Sequence, residues 1–199
     1  MSEPPLILAS SSQRRRDLLT CLGVDFECCP ADIDESVDRG EAPRNYVRRM
    51  ALEKAAVIAA EQNGKQYTVL AADTIVVVEG DILGKPADYR DGIAILSRLS
   101  GRWHTVITAL CLHTQNGTPL RTVTTEVQFV TLDERVCAAY LATNEPWDKA
   151  GAYAIQGLGG AFVKEIQGSY SNVVGLPLAE TWQLLLEHGI STTLSHQPQ

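Results

Sequence analysis

The chain reads as an α/β protein built on a mixed sheet. In roughly its first half, short β-branched runs alternate with helical patterns, the signature of strand–helix units. Then Trp103 to His113 and Leu120 to Val130 form two long strand patterns around Gln115-Asn116-Gly117. That is a hairpin signal, which a purely doubly wound sheet would not carry. With 199 residues, 45% of them apolar, the chain can bury a full core, and it has no repeat, linker or low-complexity stretch. A single domain over 1–199 is expected, with a polar, frayed tail from about 191.

The elements follow in order. Leu6 to Ala9 is a short buried strand. A helix runs from Gln13 to Leu22, with Ser12 as N-cap and Gly23 just past its end. Val24 to Cys29 is a second strand, and Pro30 to Gly40 a loop rich in carboxylates. Pro43 opens a helix to Gln62 with Val47, Ala51, Ala55, Ile58 and Ala59 in one apolar stripe, and Gly64 ends it. Tyr67 to Ala72 and Thr74 to Val78 make one strand with an irregularity at Asp73. Glu79-Gly80 turns tightly into Asp81 to Leu83. Ala87 to Leu99 is helical, closed by Gly101. After the hairpin, Thr131 and Glu134 have capping-box spacing and open a helix through Leu141. A glycine-rich stretch from Ala150 to Gly160 leads to a strand over Ala161 to Ile166 and a last helix over Pro177 to His188.

A net charge of −7 and a pI near 5.1 argue against a nucleic-acid polymer as partner. The arginines are nonetheless clustered, at 14, 15 and 16 and at 44, 48 and 49, which suits a small anion. Five cysteines without a C-x-x-C pair favour a reducing compartment, the cytosol, over a disulfide framework or a common zinc site. No secretory signal and no run of the ~18 apolar residues of a membrane span are visible.

The strongest chemical signal is Asp73, a carboxylate inside the apolar run from Leu70 to Val78. A buried unpaired charge costs several kcal/mol. Asp73 therefore needs a metal, a cationic partner or the mouth of a cleft; otherwise it is a capping or salt-bridged strand end. Ala71 and Ala72 leave room beside it. Ser10-Ser11-Ser12, running from a strand into a helix start with arginines behind it, is either an ordinary cap or a phosphate site. Asp34-Glu35 together with Asp73 is an oxygen set suited to Mg²⁺ or Mn²⁺, or a solvated acidic loop. Lys54 lies near the edge of its helix's apolar stripe, and Lys85 stands in Gly84-Lys85-Pro86, where neighbours fix the backbone; each is a positioned cation or a surface lysine. Gly80 to Pro86 is one residue short of a P-loop and has Pro where Ser or Thr should hold metal. Gly157 to Gly160 lacks the dinucleotide fingerprint. His104, His113, His188 and His196 show no metal-ligand spacing.

Taken together, LILASSSQRR, Asp32-Ile33-Asp34-Glu35, Ala51-Leu52-Glu53-Lys54-Ala55, Ala72-Asp73-Thr74-Ile75-Val76, Gly84-Lys85-Pro86, Lys149 to Tyr153 and Val174 to Leu178 resemble the Maf family of nucleotide pyrophosphatases, in order and over nearly the whole chain. The resemblance implies a largely antiparallel central sheet flanked by helices, with two lobes around a cleft, a fold shared with inosine triphosphate pyrophosphatases. It implies hydrolysis of a nucleoside triphosphate to monophosphate and pyrophosphate with Mg²⁺ or Mn²⁺, and a homodimer. Asp73 matches the family's catalytic proton acceptor. The Lys149 to Gly157 segment looks like the branch acting on dTTP and UTP, in which Arg14, Thr74 and Gln156 match positions tied to substrate selection. A carboxamide at Gln156 can pair both donor and acceptor edges of a pyrimidine. On this reading Ser10, Ser12, Arg14, Lys54 and Lys85 bind phosphate, and Glu35 and Asp73 hold the metal. The family usually has Pro where this chain has Gln13, which predicts a slightly looser turn with the arginine role kept. The alternatives are the branch acting on 7-methyl-GTP, an inosine triphosphate pyrophosphatase, and a nucleotide-binding regulator of cell division without turnover.

Overall fold

A computed structural model describes residues 5–62 and 67–195; Gly64 and His196 lie outside the described residues. Among the described residues there are seven strands, as the sequence predicts, and six α-helices, one more than it predicts. They are β1 (Leu6–Leu8), α1 (Gln13–Cys21), β2 (Phe26–Cys28), α2 (Pro43–Glu61), β3 (Thr68–Val78), β4 (Asp81–Leu83) and α3 (Tyr89–Leu99). Then come β5 (Trp103–His113), β6 (Leu120–Phe129), α4 (Glu134–Leu141), β7 (Val163–Gln167), α5 (Tyr170–Val174) and α6 (Leu178–Glu187). The sheet order is β2-β1-β3-β5-β6-β7, with β4 paired to β3. The β1/β2 and β1/β3 pairs are parallel, while β3/β4 and β6/β7 are antiparallel. The sheet is mixed, as expected.

The chain forms two compact units. Unit one comprises 1–73, 108–123 and 175–199; unit two comprises 74–107 and 124–174. In unit one, β1 and the first half of β3 are wholly buried, and α2 lays Tyr46, Val47, Met50, Ala51, Ala55 and Ile58 into the core. In unit two the core gathers Val76, Leu96, Leu99, Phe129, Tyr140 and Phe162, with α3 packed on α4.

Four local expectations are corrected. β3 runs unbroken through Asp73, because that carboxylate has a cationic partner and the ladder need not bend to expose it. α3 starts at Tyr89 rather than Ala87, because the Asp88 side chain accepts from Asp91 N–H and so takes the N-cap. α4 is capped by Asp133, which accepts from Val136 N–H, and not by Thr131. The tail is anchored as far as Ser195: Thr192 is buried, and Thr193 N–H donates to Leu22 O. Helix α5 carries no periodic pattern and was not expected. Ser169 and Thr125 organise it, Ser169 N–H donating to Thr125 Oγ1 and Asn172 N–H to Ser169 Oγ.

Candidate active site

The serine-rich turn leaves β1 and enters α1. Ser10 is buried, and its Oγ accepts from Ser12 N–H at 3.2 Å and from Arg15 Nη1 at 3.3 Å. Ser12 is the N-cap, its Oγ accepting from Arg15 N–H. Gln13, at the position where Pro is usual in the resembling family, donates to Asp17 Oδ1 and accepts from Arg16. The cap thus survives the exchange.

Asp73 points from β3 towards α2, where Lys54 meets it. Lys54 Nζ stands 2.7 Å from Asp73 Oδ1 and 2.6 Å from Glu35 Oε1. Lys54 and Asp73 are both buried, whereas the Glu35 side chain is 46% exposed. Lys54 therefore belongs to the buried stripe of α2, between Ala51 and Ala55, and not to its edge. Of the reasons open for Asp73, a cationic partner is the one observed.

The loop carrying Glu35 is fastened from α2. Tyr46 Oη donates to Glu35 O at 2.8 Å. Burial, and then the negative charges of Asp73 and Glu35, push the Tyr46 phenol up to about 12, so it stays a donor. Arg49 grips Glu41 with two bonds, Nε to Oε1 at 2.9 Å and Nη2 to Oε2 at 2.7 Å, and donates to Ser36 O. Asp34 is spent on its own turn, where Ser36 N–H holds its carboxyl below the usual range.

Sequence reasoning holds Arg15 only as one of the arginines behind the serine turn and gives it no role of its own. Its Nε donates to Gly175 O at 2.8 Å, which fixes the guanidinium beside Ser10. Burial depresses its pKa against the charges of Asp73 and Glu35, so it shares their electrostatic environment. Arg14, next along, is half-buried and adds positive charge there. A helical count would have found Arg15: it lies three and four residues before the buried Leu18 and Leu19, on the inward face of α1. Unit one thus brings together Ser10, Ser12, Arg14, Arg15, Glu35, Lys54 and Asp73.

Thr74, Lys85 and Gln156 belong to unit two. Gly151 N–H donates to Gly84 O at 3.0 Å, which ties the segment of Lys85 to the turn leading to Gln156. The Lys85 and Gln156 side chains are exposed.

The carboxylates of Glu35 and Asp73 converge on the Lys54 ammonium, and the donor atoms they could offer a metal beside it are oxygens alone. That chemistry fits Mg²⁺ or Mn²⁺ held by two carboxylates with substrate phosphates supplying the rest. It does not fit a cage made by protein alone: among the described residues no three His, Cys, Asp or Glu gather around one point.

The family description "Maf-like protein" matches residues 5–188. A protein of Shewanella oneidensis named dTTP/UTP pyrophosphatase is 53% identical over 191 residues, covering 93% of this chain and 98% of the relative. One of the same name from Hahella chejuensis is 51% identical over 186 residues, covering 93% and 92%. Another, from Neisseria meningitidis serogroup B, is 46% identical over 195 residues, covering 96% of each. Among solved structures, the Staphylococcus aureus Ham1 protein matches 63% of this chain and 71% of its own at a TM-score of 0.45, with 17% identity.

Proposed function

We propose that this chain, which belongs to the family of Maf-like proteins, hydrolyses dTTP and UTP to the monophosphate and pyrophosphate. Relatives about half identical over nearly all of both chains, named dTTP/UTP pyrophosphatase, support this. So does the observation on which the chemistry turns: Glu35 and Asp73 bracket Lys54 in the unit that also carries the serine turn and Arg15.

The roles follow from the side chains. Ser10, Ser12 and the first turn of α1 offer hydroxyls and N–H groups to phosphate oxygens, with Arg14 and Arg15 as cations. Lys54 sits where it can neutralise a phosphate while keeping Asp73 in place. Asp73 orients or deprotonates the attacking water. Glu35 and Asp73 would hold Mg²⁺ or Mn²⁺, which supplies charge neutralisation of the pyrophosphate leaving group. Thr74 and Gln156, for substrate selection, and Lys85, for phosphate, enter by the family resemblance.

The proposal includes the cytosol as compartment, supported by five free cysteines, Cys21, Cys28, Cys29, Cys111 and Cys137. No helix among the described residues is long and apolar enough to cross a membrane. It also includes a homodimer, which sedimentation would read.

The test is pyrophosphate release from a panel of nucleoside triphosphates with Mg²⁺, with Mn²⁺ and with chelator. Turnover of dTTP and UTP that chelator abolishes is expected. Asp73→Asn should lower kcat by roughly two to four orders of magnitude with nucleotide binding kept. Preference for 7-methyl-GTP or ITP would overturn the specificity. Nucleotide binding without turnover of any substrate would turn the reading to a regulator.

A further inference from the structure

Unit two contains a polar cluster that the reaction itself does not use. Glu145 lies in the segment after α4, and its carboxylate accepts three hydrogen bonds. They come from Tyr140 Oη at 2.7 Å, Leu158 N–H at 2.9 Å and Gly159 N–H at 2.9 Å. Tyr140 Oη in turn accepts from Ala154 N–H at 3.1 Å. These backbone groups flank one residue. Ala154 precedes Gln156 by two positions, while Leu158 and Gly159 follow it by two and three. Gln156 itself is exposed. A side chain that reaches into solvent thus rides on a backbone pinned on both sides.

The pin is tight and charged. A Cβ at Gly157 would fall 2.1 Å from Glu145 Oε2, so only glycine lets the carboxylate approach the chain here. Burial raises the Glu145 carboxyl, but the donors from Gly159, Tyr140 and Leu158 outweigh it and bring it below its usual range. Burial and the Glu145 bond push the Tyr140 phenol up, so it remains the donor. The stem is braced as well: Lys149 Nζ donates to Glu145 O at 2.8 Å and pairs with Asp148, and Trp147 Nε1 donates to Thr143 O. Tyr140 packs edge-on against Phe162 with ring centres 4.9 Å apart.

We infer that Glu145, together with Tyr140, is the positioning device that fixes the orientation in which Gln156 reads the pyrimidine base. This rests on the role of Gln156 proposed above. A carboxamide discriminates uracil or thymine from cytosine only while its donor and acceptor ends stay aligned with the base edge. A displacement of the order of an ångström is enough to lose such selection.

The experiment compares kcat/KM on dTTP and dCTP for Glu145→Gln, Tyr140→Phe, Gln156→Ala and the double variant Tyr140→Phe/Gln156→Ala. Tyr140→Phe keeps the ring against Phe162, so it decides the question should Glu145→Gln not fold. Both positioning variants should lower the dTTP to dCTP preference by roughly tenfold, through KM more than kcat. The double variant should show no further loss of preference beyond Gln156→Ala. Equal losses on both nucleotides would mean a merely structural role and overturn the inference. So would an unchanged preference in a folded Tyr140→Phe enzyme when Gln156→Ala does lower it. An unchanged preference in Gln156→Ala would instead sink the role of Gln156, and the inference with it.

Discussion

Lys54→Met is the most informative single perturbation of unit one. It deletes an ammonium 2.6 Å from Glu35 Oε1 and 2.7 Å from Asp73 Oδ1, and leaves two carboxylates facing the gap. At an effective dielectric of about 20, one contact at this separation is a gross attraction of roughly 6 kcal/mol. Burying Lys54 cancels much of that. Stripping one partner from a buried pair costs about 3–5 kcal/mol, because the remaining charge is uncompensated. Glu35 is nearly half exposed and water screens its share, so about 3 kcal/mol is expected. For a chain of this length that lowers Tm by roughly 6–12 °C. Asp73→Asn placed on top of Lys54→Met removes the repulsion and should return about half of the loss. The assay is thermal unfolding at neutral pH and low salt for the parent, both single variants and the double. If Lys54→Met melts within about 1 °C of the parent, or the two losses simply add, the three-residue cluster does not hold the site together.

Three further outcomes are expected. Arg15→Lys should raise KM for dTTP by roughly tenfold in steady-state kinetics, because a lysine cannot reproduce the fork held by Gly175 O and Ser10 Oγ; Arg16→Lys, on the exposed face, should change little. His104 is buried beside Phe129 and Tyr153, with Nε2 2.9 Å from Tyr153 Oη, and burial lowers its pKa from 6.5 to about 4. Below about pH 6.5 the unfolded chain takes a proton that the fold refuses. Stability present above that pH should therefore fall by up to about 3 kcal/mol on the way to pH 4, and His104→Gln should flatten that slope in urea titrations. Gly151→Ala should destabilise by about 2–4 kcal/mol in denaturant unfolding, since φ is +71° and the new Cβ would lie 2.9 Å from Val76 Cγ2.

Much of the fold could be read from local signals. Ser12 caps α1, Pro43 opens α2, and Glu79-Gly80 and Gln115-Asn116-Gly117 mark turns where they were expected. These succeed because a cap or a tight turn is decided by neighbours within a few residues. The failures have the opposite character. Asp73 predicts an irregularity in β3 because the strand window does not contain Lys54, nineteen residues earlier in the chain. Helix α5 is set up by Thr125, 44 residues before Ser169. Thr131 lost the α4 cap to Asp133, an equally good capping residue two positions on, and spacing alone could not rank them.

The same distinction separates residues that act from residues that hold them. Residue type and spacing single out Asp73, Glu35 and Lys54 as the groups proposed to act, and the family resemblance adds Gln156. Their supports are distant in sequence. The main-chain carbonyl of Gly175 fixes Arg15 across 160 residues, Tyr46 and Arg49 hold the Glu35 loop from 11 and 13 residues away, and Glu145 reaches Leu158 across 13. Each support is an ordinary Gly, Tyr, Arg or Glu whose role exists only once the chain has folded. A substitution at a support should therefore show itself as lost selectivity or affinity with the reacting groups intact, and one at Asp73 as lost turnover. A variant series read by KM and kcat separately distinguishes the two classes, where activity at one substrate concentration would merge them.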